Sequence, residues 1–195
     1  IGEILLLFIA TMFNWETPLL PIHILWVNLV TDSLPALALG VEPAEKDIMD
    51  RKPRDPEGKI FDKGMIRRVV YQGAMVALLS LAAFKIGERV DTTTGQTMAF
   101  AVLAFSQLIH AHNVRSNTKS LFNIGLFTNR KLLGATAISL IMQLAVLLIP
   151  ALTKLFKVTS LDAAHWLMVL GLSLVPILIV ELVKLFGLNS TEEER

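Results

Sequence analysis

The sequence predicts an all-α fold, a polytopic bundle of one truncated and five full membrane helices. Three features of the composition support this prediction or limit the possible functions. Of the 195 residues, 53% are hydrophobic, and they gather into blocks of about 20, the length that crosses a hydrocarbon core. Cysteine is absent, which excludes disulfides and thiolate metal sites. The net charge of +1 provides no field that would favour nucleic acid, so we expect no such partner.

Six apolar segments follow one another along the chain. The first covers residues 1–14, and because the chain begins without Met inside an apolar run, we expect a truncated helix in a piece of a longer polypeptide. The full membrane helices are expected at residues 22–41, 69–86, 97–113, 132–152 and 163–186. A polar loop at 42–68 and a tail at 187–195 complete a chain that we expect to form one transmembrane domain.

The distribution of Lys and Arg predicts the orientation of these helices. Twelve of these residues lie in the 42–68 loop and the connection around 114–131, whereas the loops on the opposite side hold four. Cytoplasmic loops carry the excess of positive charge. The first set therefore faces the cytoplasm, and the C-terminus returns there.

The strongest functional signal is a polar group of residues inside the second segment, at positions 26–35. Asn28, Thr31 and Asp32 are spaced i, i+3, i+4 and so share one face of a helix. An ionisable group at this depth costs roughly 2.5–3.5 kcal/mol, which makes it a functional-site hypothesis. All three side chains carry oxygen, the ligand atom of a hard cation such as Ca2+. The alternative is a kinked helix whose polar groups bond only to their neighbours.

Pro35 strengthens the interpretation as a cation site. A proline cannot donate to the carbonyl four residues back, which is that of Thr31. Non-helical backbone at this depth is tolerated where it lines a cavity, and transporters build ion sites from discontinuous helices. We therefore expect a broken helix at the ion site.

Two residues in other segments are further candidate ligands. Glu3 is a second intramembrane carboxylate; its alternative reading is a residue at the cytoplasmic end of a truncated helix. Gln107 offers one neutral oxygen, either to the cation or to an interhelical hydrogen bond. If Glu3 faces Asp32, the two carboxylates could share a divalent cation. Their repulsion after its departure would favour protonation, which couples ion release to proton uptake.

Three more side chains were assigned from their positions near segment ends. Trp26 is either an anchor at the membrane interface or a wall of the ion site. Glu181 and Lys184, spaced i, i+3, predict a pair in which the lysine reaches towards the surface.

Residues 24–36, followed by Leu39-Gly40 and by residues 47–54, closely resemble the sixth transmembrane helix and the following loop of P-type calcium-transporting ATPases. This family includes the sarco/endoplasmic reticulum calcium pump. Residues 161–170 resemble the start of that family's tenth helix. The resemblance covers nearly the whole chain, from late helix five to the C-terminus. It implies the ion-translocating domain of an ATP-driven pump, in contact with the lipid bilayer.

The resemblance also implies roles for individual residues. Glu3 and Thr31 match ligands of one calcium ion, Asn28 matches a ligand of a second, and Asp32 matches the aspartate shared by both. Glu45, Asp47 and Asp50 match an acidic stretch of the loop that contacts the phosphorylation domain; a solvated charged loop is the alternative.

The chain departs from the family pattern at several points. Gln107 stands where the two-site reticulum pump has a glutamate, and the lack of cysteine favours a bacterial pump in the cell membrane. The phosphorylation motif and the domains that use ATP and Mg2+ are not in this sequence, so the missing cytoplasmic and N-terminal membrane parts are implied partners. A P-type pump for another cation and a non-ATPase ion-binding scaffold remain as alternative functions.

Overall fold

The structure of the protein is a computed structural model that describes residues 1–42, 49, 63–116, 119–125 and 127–186. Within these ranges every regular element is helical, which confirms the predicted all-α class. The proposed coupling residues Glu45, Asp47 and Asp50 and the tail at 187–195 lie outside the described residues. The helices, in chain order, are α1 (Gly2–Met12), α2 (Pro21–Trp26), the π-helical turn π1 (Val27–Asp32), α3 (Ser33–Leu39), α4 (Lys63–Gly87), α5 (Thr92–Asn113), α6 (Leu121–Ile124), α7 (Arg130–Leu148), α8 (Pro150–Phe156) and α9 (Ala163–Leu185).

Four stretches of the described chain are long and apolar enough to cross a membrane. They are Pro21–Leu39, which joins α2, π1 and α3, and the helices Gly64–Gly87, Arg130–Leu148 and Ala163–Leu185. Large apolar side chains on these helices are exposed, such as Leu167 and Leu178, as expected for surfaces that face lipid. The protein is thus a multi-pass membrane protein, and the expectation of five full spans is confirmed for four.

The remaining expected span, at residues 97–113, corresponds to α5. This helix is the most deeply buried of the bundle. Every residue from position 97 to position 106 is buried, and α5 packs against α4, α7, α9, π1 and α3. Close approach to α4 depends on glycine, since a Cβ added at Gly95 would lie 2.8 Å from the Phe84 carbonyl oxygen. A helix enclosed by protein does not need a lipid-compatible surface, so α5 can carry polar residues such as Ser106 and Gln107.

Two details of the fold differ from the sequence-based expectation. The segment expected at 132–152 divides, because α7 ends at Leu148 and Pro150 occupies the first turn of α8, where its missing N–H is tolerated. Lys184 does not reach the surface: it is buried, and its Nζ donates to the Asn113 carbonyl at 2.8 Å and to Glu181 Oε1 at 3.2 Å. The lysine therefore caps the C-terminal end of α5 instead of snorkelling.

A polar cluster joins the end of α3 to the start of α7. Glu42 Oε1 accepts hydrogen bonds from Arg115 Nε at 3.0 Å and Nη2 at 2.7 Å, and its Oε2 accepts from Asn129 Nδ2. Asn129 also caps α7, since its Oδ1 accepts from the Leu132 N–H at 2.9 Å. Burial raises the pKa of Glu42, but the donors and the charge of Arg115 outweigh burial and hold the pKa below its ordinary value of 4.5.

This cluster predicts that the fold loses stability in acid. Because the folded-state pKa of Glu42 is lowered, its contribution is fully present above the ordinary value of 4.5 and is lost as pH falls through the lower folded-state pKa. We expect the thermal unfolding temperature to fall more steeply between about pH 5 and about pH 3 in the wild type than in Glu42→Gln. Glu16→Gln, which removes an exposed carboxylate, is the control and should follow the wild type; identical profiles for Glu42→Gln and the wild type would contradict the assignment.

Candidate cation-binding site

The polar stretch identified in the sequence forms a π-helical turn. π1 covers Val27–Asp32 and lies between α2 and α3, so the backbone stays helical on both sides. The break expected at this position therefore takes the form of a wider turn. Such turns accommodate one extra residue and occur often at functional sites. Inside the turn, Thr31 Oγ1 donates to the Val27 carbonyl at 2.8 Å, and Ser33 Oγ donates to the Asn28 carbonyl at 2.8 Å.

Glu3 and π1 are in direct contact. Asn28 Nδ2 donates to Glu3 Oε2 at 2.9 Å and to the Ile24 carbonyl at 2.9 Å. The second oxygen of Glu3, Oε1, is buried and has no hydrogen-bond partner among the described residues. Asp32 lies four residues after Asn28 in the same turn and is half-buried. The fold therefore brings Glu3 of α1 against the turn that also carries Asp32.

The contacts between helices indicate that Gln107 lies at about the same depth in the bundle as Glu3. A Cβ added at Gly2 would lie 3.2 Å from the Gly73 carbonyl oxygen, so the start of α1 is level with the middle of α4. Gln72 Oε1 lies 3.2 Å from His110 Nε2, which places this part of α4 one turn of helix from Gln107. Gln107 Oε1 is buried without a hydrogen-bond partner in the described part of the chain. The amide oxygen therefore remains available to a ligand.

The remaining candidates differ in their exposure. Thr31 is buried, Asp32 is half-buried and Asn28 is exposed on the surface of the described bundle. No cluster of three or more His, Cys, Asp or Glu side chains forms within the described residues. A cation held here would therefore use the two carboxylates together with amide, hydroxyl and backbone oxygens. That donor set suits Ca2+, which takes 6–8 oxygen ligands.

Comparisons with known proteins place the chain in a family. The family described as "Cation transporting ATPase, C-terminus" matches residues 16–186. The chain belongs to this family of C-terminal segments of cation-transporting ATPases. Relatives include calcium-transporting ATPase 1 of Bacillus cereus, 44% identical over 96% of this chain, the calcium-transporting ATPase of Bacillus subtilis, 39% over 90%, and the human calcium-transporting ATPase type 2C member 1, 34% over 94%. The chain spans 20–23% of the length of these relatives.

One element of this ATPase segment that the sequence did not associate with the site is α7. Ser139 Oγ donates to the Val30 carbonyl at 3.0 Å, and both residues are buried. Gln143 Oε1 accepts from the indole N–H of Trp26 at 2.9 Å. Trp26 is thus half-buried and bonded to α7. Ser139 and Gln143 are spaced i, i+4 in a mainly apolar helix and so share one face of it. This spacing was the signal in the sequence that could have identified the face of α7 that contacts π1 and α2.

The contacts of α7 add one detail to the sequence analysis. Pro35 lies in the α-helical part of the span, where its missing N–H is expected to free the carbonyl of Thr31, four residues earlier. The neighbouring carbonyl, that of Val30, receives a donor from another helix, the hydroxyl of Ser139.

The Trp26–Gln143 contact leads to a stability prediction for the ATPase. Gln143→Leu leaves the indole N–H without its partner, whereas Trp26→Phe removes the donor itself. We expect the two changes to be less than additive, with a coupling of about 0.6–2 kcal/mol, the range for hydrogen bonds between membrane helices. The coupling is measured by thermal unfolding in detergent of the wild type, both single variants and the double variant. Strict additivity of the two changes would show that the hydrogen bond contributes nothing to stability.

Proposed function

We propose that this chain is the ion-translocating part of an ATP-driven P-type calcium pump, which binds Ca2+ within the membrane and moves it out of the cytoplasm. The observation that carries the proposal is the hydrogen bond between Glu3 of α1 and Asn28 of π1, the turn that also contains Asp32. Two adjacent carboxylates inside a membrane bundle are unfavourable unless a cation or protons compensate their charge. The relatives are calcium-transporting ATPases, which favours Ca2+ as that cation.

The proposed ligands are the five residues that the sequence analysis singled out. Glu3 and Asp32 offer up to four oxygens, and Asn28, Thr31 and Gln107 offer one each; backbone carbonyls would supply the rest of the 6–8 that Ca2+ takes. Binding requires some rearrangement, because the Asn28 amide currently presents its Nδ2 to Glu3. The buried and unpartnered Oε1 atoms of Glu3 and Gln107 support this ligand set.

Proton counter-transport follows from the same pair of acids. While Ca2+ is bound, its charge keeps Glu3 and Asp32 ionised. When the cation leaves, the repulsion between two carboxylates in a low-dielectric setting favours uptake of a proton from the side to which the ion was released. Each transport cycle would then exchange Ca2+ for protons without any further titratable ligand.

ATP and Mg2+ would act in other parts of the same pump. The exposed side of Asn28 would be covered by those parts, since the chain spans only about a fifth of the length of its relatives. We assign the coupling to the phosphorylation domain to Glu45, Asp47 and Asp50. The Lys and Arg distribution favours an orientation in which the loop at 42–68 and the C-terminus lie in the cytoplasm. The lack of the cysteines of the animal reticulum pumps favours a bacterial cell membrane.

The proposal predicts that the acids are required for activation by calcium. In the full-length ATPase, Asp32→Asn and Glu3→Gln should each raise the calcium concentration for half-maximal ATP hydrolysis by about a hundredfold or abolish it, since each removes a charged ligand. Gln107→Ala, which removes a neutral ligand, should raise it by about tenfold. Steady-state ATPase assays over a calcium series measure these shifts.

Glu88→Gln is the matched control, because Glu88 pairs with Lys85 at the end of α4 and is not a proposed ligand. Its calcium dependence should equal that of the wild type. Parallel series with Mn2+, Na+ and K+ identify a pump for another cation, which would be activated by that ion and not by Ca2+. Calcium-dependent hydrolysis that survives both Asp32→Asn and Glu3→Gln would refute the proposed site.

A further inference from the structure

A cleft of about 800 Å³ lies between α5, α7 and α9. It opens because α7 and α9 each pack against α5 but hardly contact each other. Its volume falls within the range of about 300–1,000 Å³ that is typical of clefts for small ligands. None of the five proposed calcium ligands lines this cleft, so it is separate from the candidate cation site.

The lining of the cleft suits a hydrocarbon chain. Half of the lining residues are leucines, and on α7 the lining extends from Leu133 to Leu148, a length of about 22 Å at the rise of an α-helix. One leaflet contributes about 15 Å to the hydrocarbon core, so an acyl chain fits along the cleft. Membrane helices pack closely through small residues. The cleft presents mainly large side chains, which favours a flexible chain over another helix as its occupant.

The polarity of the cleft changes along its length. Towards the end that we assign to the cytoplasm, His112 Nε2 lies 3.1 Å from Thr136 Oγ1, and both residues line the cleft. Beyond them Arg130 begins α7, and its side chain is exposed. Arg130 precedes Leu133 and Ala137 by three and seven residues, which places these three residues on one face of the helix. Charged, polar and apolar groups thus follow one another in the order of the phosphate, ester and hydrocarbon of a phospholipid.

The guanidinium of Arg130 can receive an anion. It forms no ion pair with another residue in the part of the chain that the structure describes. By contrast, Arg115 beyond the end of α5 is already bonded to Glu42. Guanidinium groups bind phosphate through paired, charge-assisted hydrogen bonds. Basic groups between membrane helices on the cytoplasmic side are therefore suited to acidic lipid headgroups.

We propose that the cleft between α5, α7 and α9 binds an acidic phospholipid of the cytoplasmic leaflet. One acyl chain lies against the leucines, and the phosphate lies at Arg130. A zwitterionic lipid such as phosphatidylethanolamine carries a compensating ammonium group beside its phosphate, so it gains less from the charge of Arg130. The site is independent of which cation the pump transports.

The test locates the lipid on the full-length ATPase. The protein is placed in phosphatidylethanolamine nanodiscs with a trace of phosphatidylglycerol that carries a photoreactive group in its acyl chain. After irradiation, mass spectrometry of the peptides should find the label on the cleft residues of α7 and α9, such as Leu140 and Leu174. Unlabelled phosphatidylglycerol should compete with the probe, and further phosphatidylethanolamine should not.

Two pairs of variants separate this site from general contact with lipid. Arg130→Gln should weaken phosphatidylglycerol binding about fivefold, the contribution of one basic side chain near an acidic membrane surface. Lys131→Gln, which removes an equal charge about 100° further round the helix, is its control and should leave binding within about twofold of the wild type. Ala137→Phe fills the cleft and should abolish labelling there, whereas Ile138→Phe, at an exposed position outside the lining, should not.

The competing outcomes are distinct. Label spread evenly over exposed residues of other helices, such as Leu78 of α4, would overturn the inference. Equal losses of binding in Arg130→Gln and Lys131→Gln, or labelling that survives Ala137→Phe, would do the same. So would a copurified polypeptide that occupies the cleft and excludes the probe. A failure of calcium activation would refute the proposed function and leave this lipid site to be decided by the labelling.

Discussion

The arrangement of the bundle depends on the placement of two acidic side chains together inside a membrane. Glu3 on α1 and Asp32 on the π turn come from separate helices, and the hydrogen bond from Asn28 to Glu3 joins those helices at this level. Lipid offers no solvation for such charges, so each must find a partner within the protein or a bound ion. Among the described residues, Oε1 of Glu3 has no hydrogen-bond partner.

Several other features of the fold serve this arrangement. α5 is enclosed by the other helices and can therefore carry Gln107 and a series of polar groups at depths where a lipid-facing helix could not. α7 supplies hydrogen bonds from Ser139 and Gln143 to the helix that contains the π turn. At the end of the bundle that we assign to the cytoplasm, Glu42, Arg115 and Asn129 link the end of α3 to the cap of α7. The helix that contains the π turn is thus held near its middle and at its C-terminal end.

The sequence predicted the helical class and most of the spans of the fold, for physical reasons. Apolar blocks of membrane length specify spanning helices, and the i, i+3, i+4 spacing of Asn28, Thr31 and Asp32 identified the polar face. The geometry of the turn was not predictable from local sequence, because the turn is packed against residues far away along the chain, such as Ser139 of α7, more than 100 residues from Val30. The burial of Lys184 was missed for a similar reason, since its partner is a backbone carbonyl at the end of α5. The ligand roles of the five residues remain predictions.

The most direct test of this account is the position of calcium in an experimental structure of the full-length ATPase, located by its anomalous scattering. The account predicts a calcium ion about 2.3–2.6 Å from oxygens of both Glu3 and Asp32, the distance of direct coordination. A calcium ion bound elsewhere in the membrane domain, with Glu3 and Asp32 hydrogen-bonded only to protein, would contradict it.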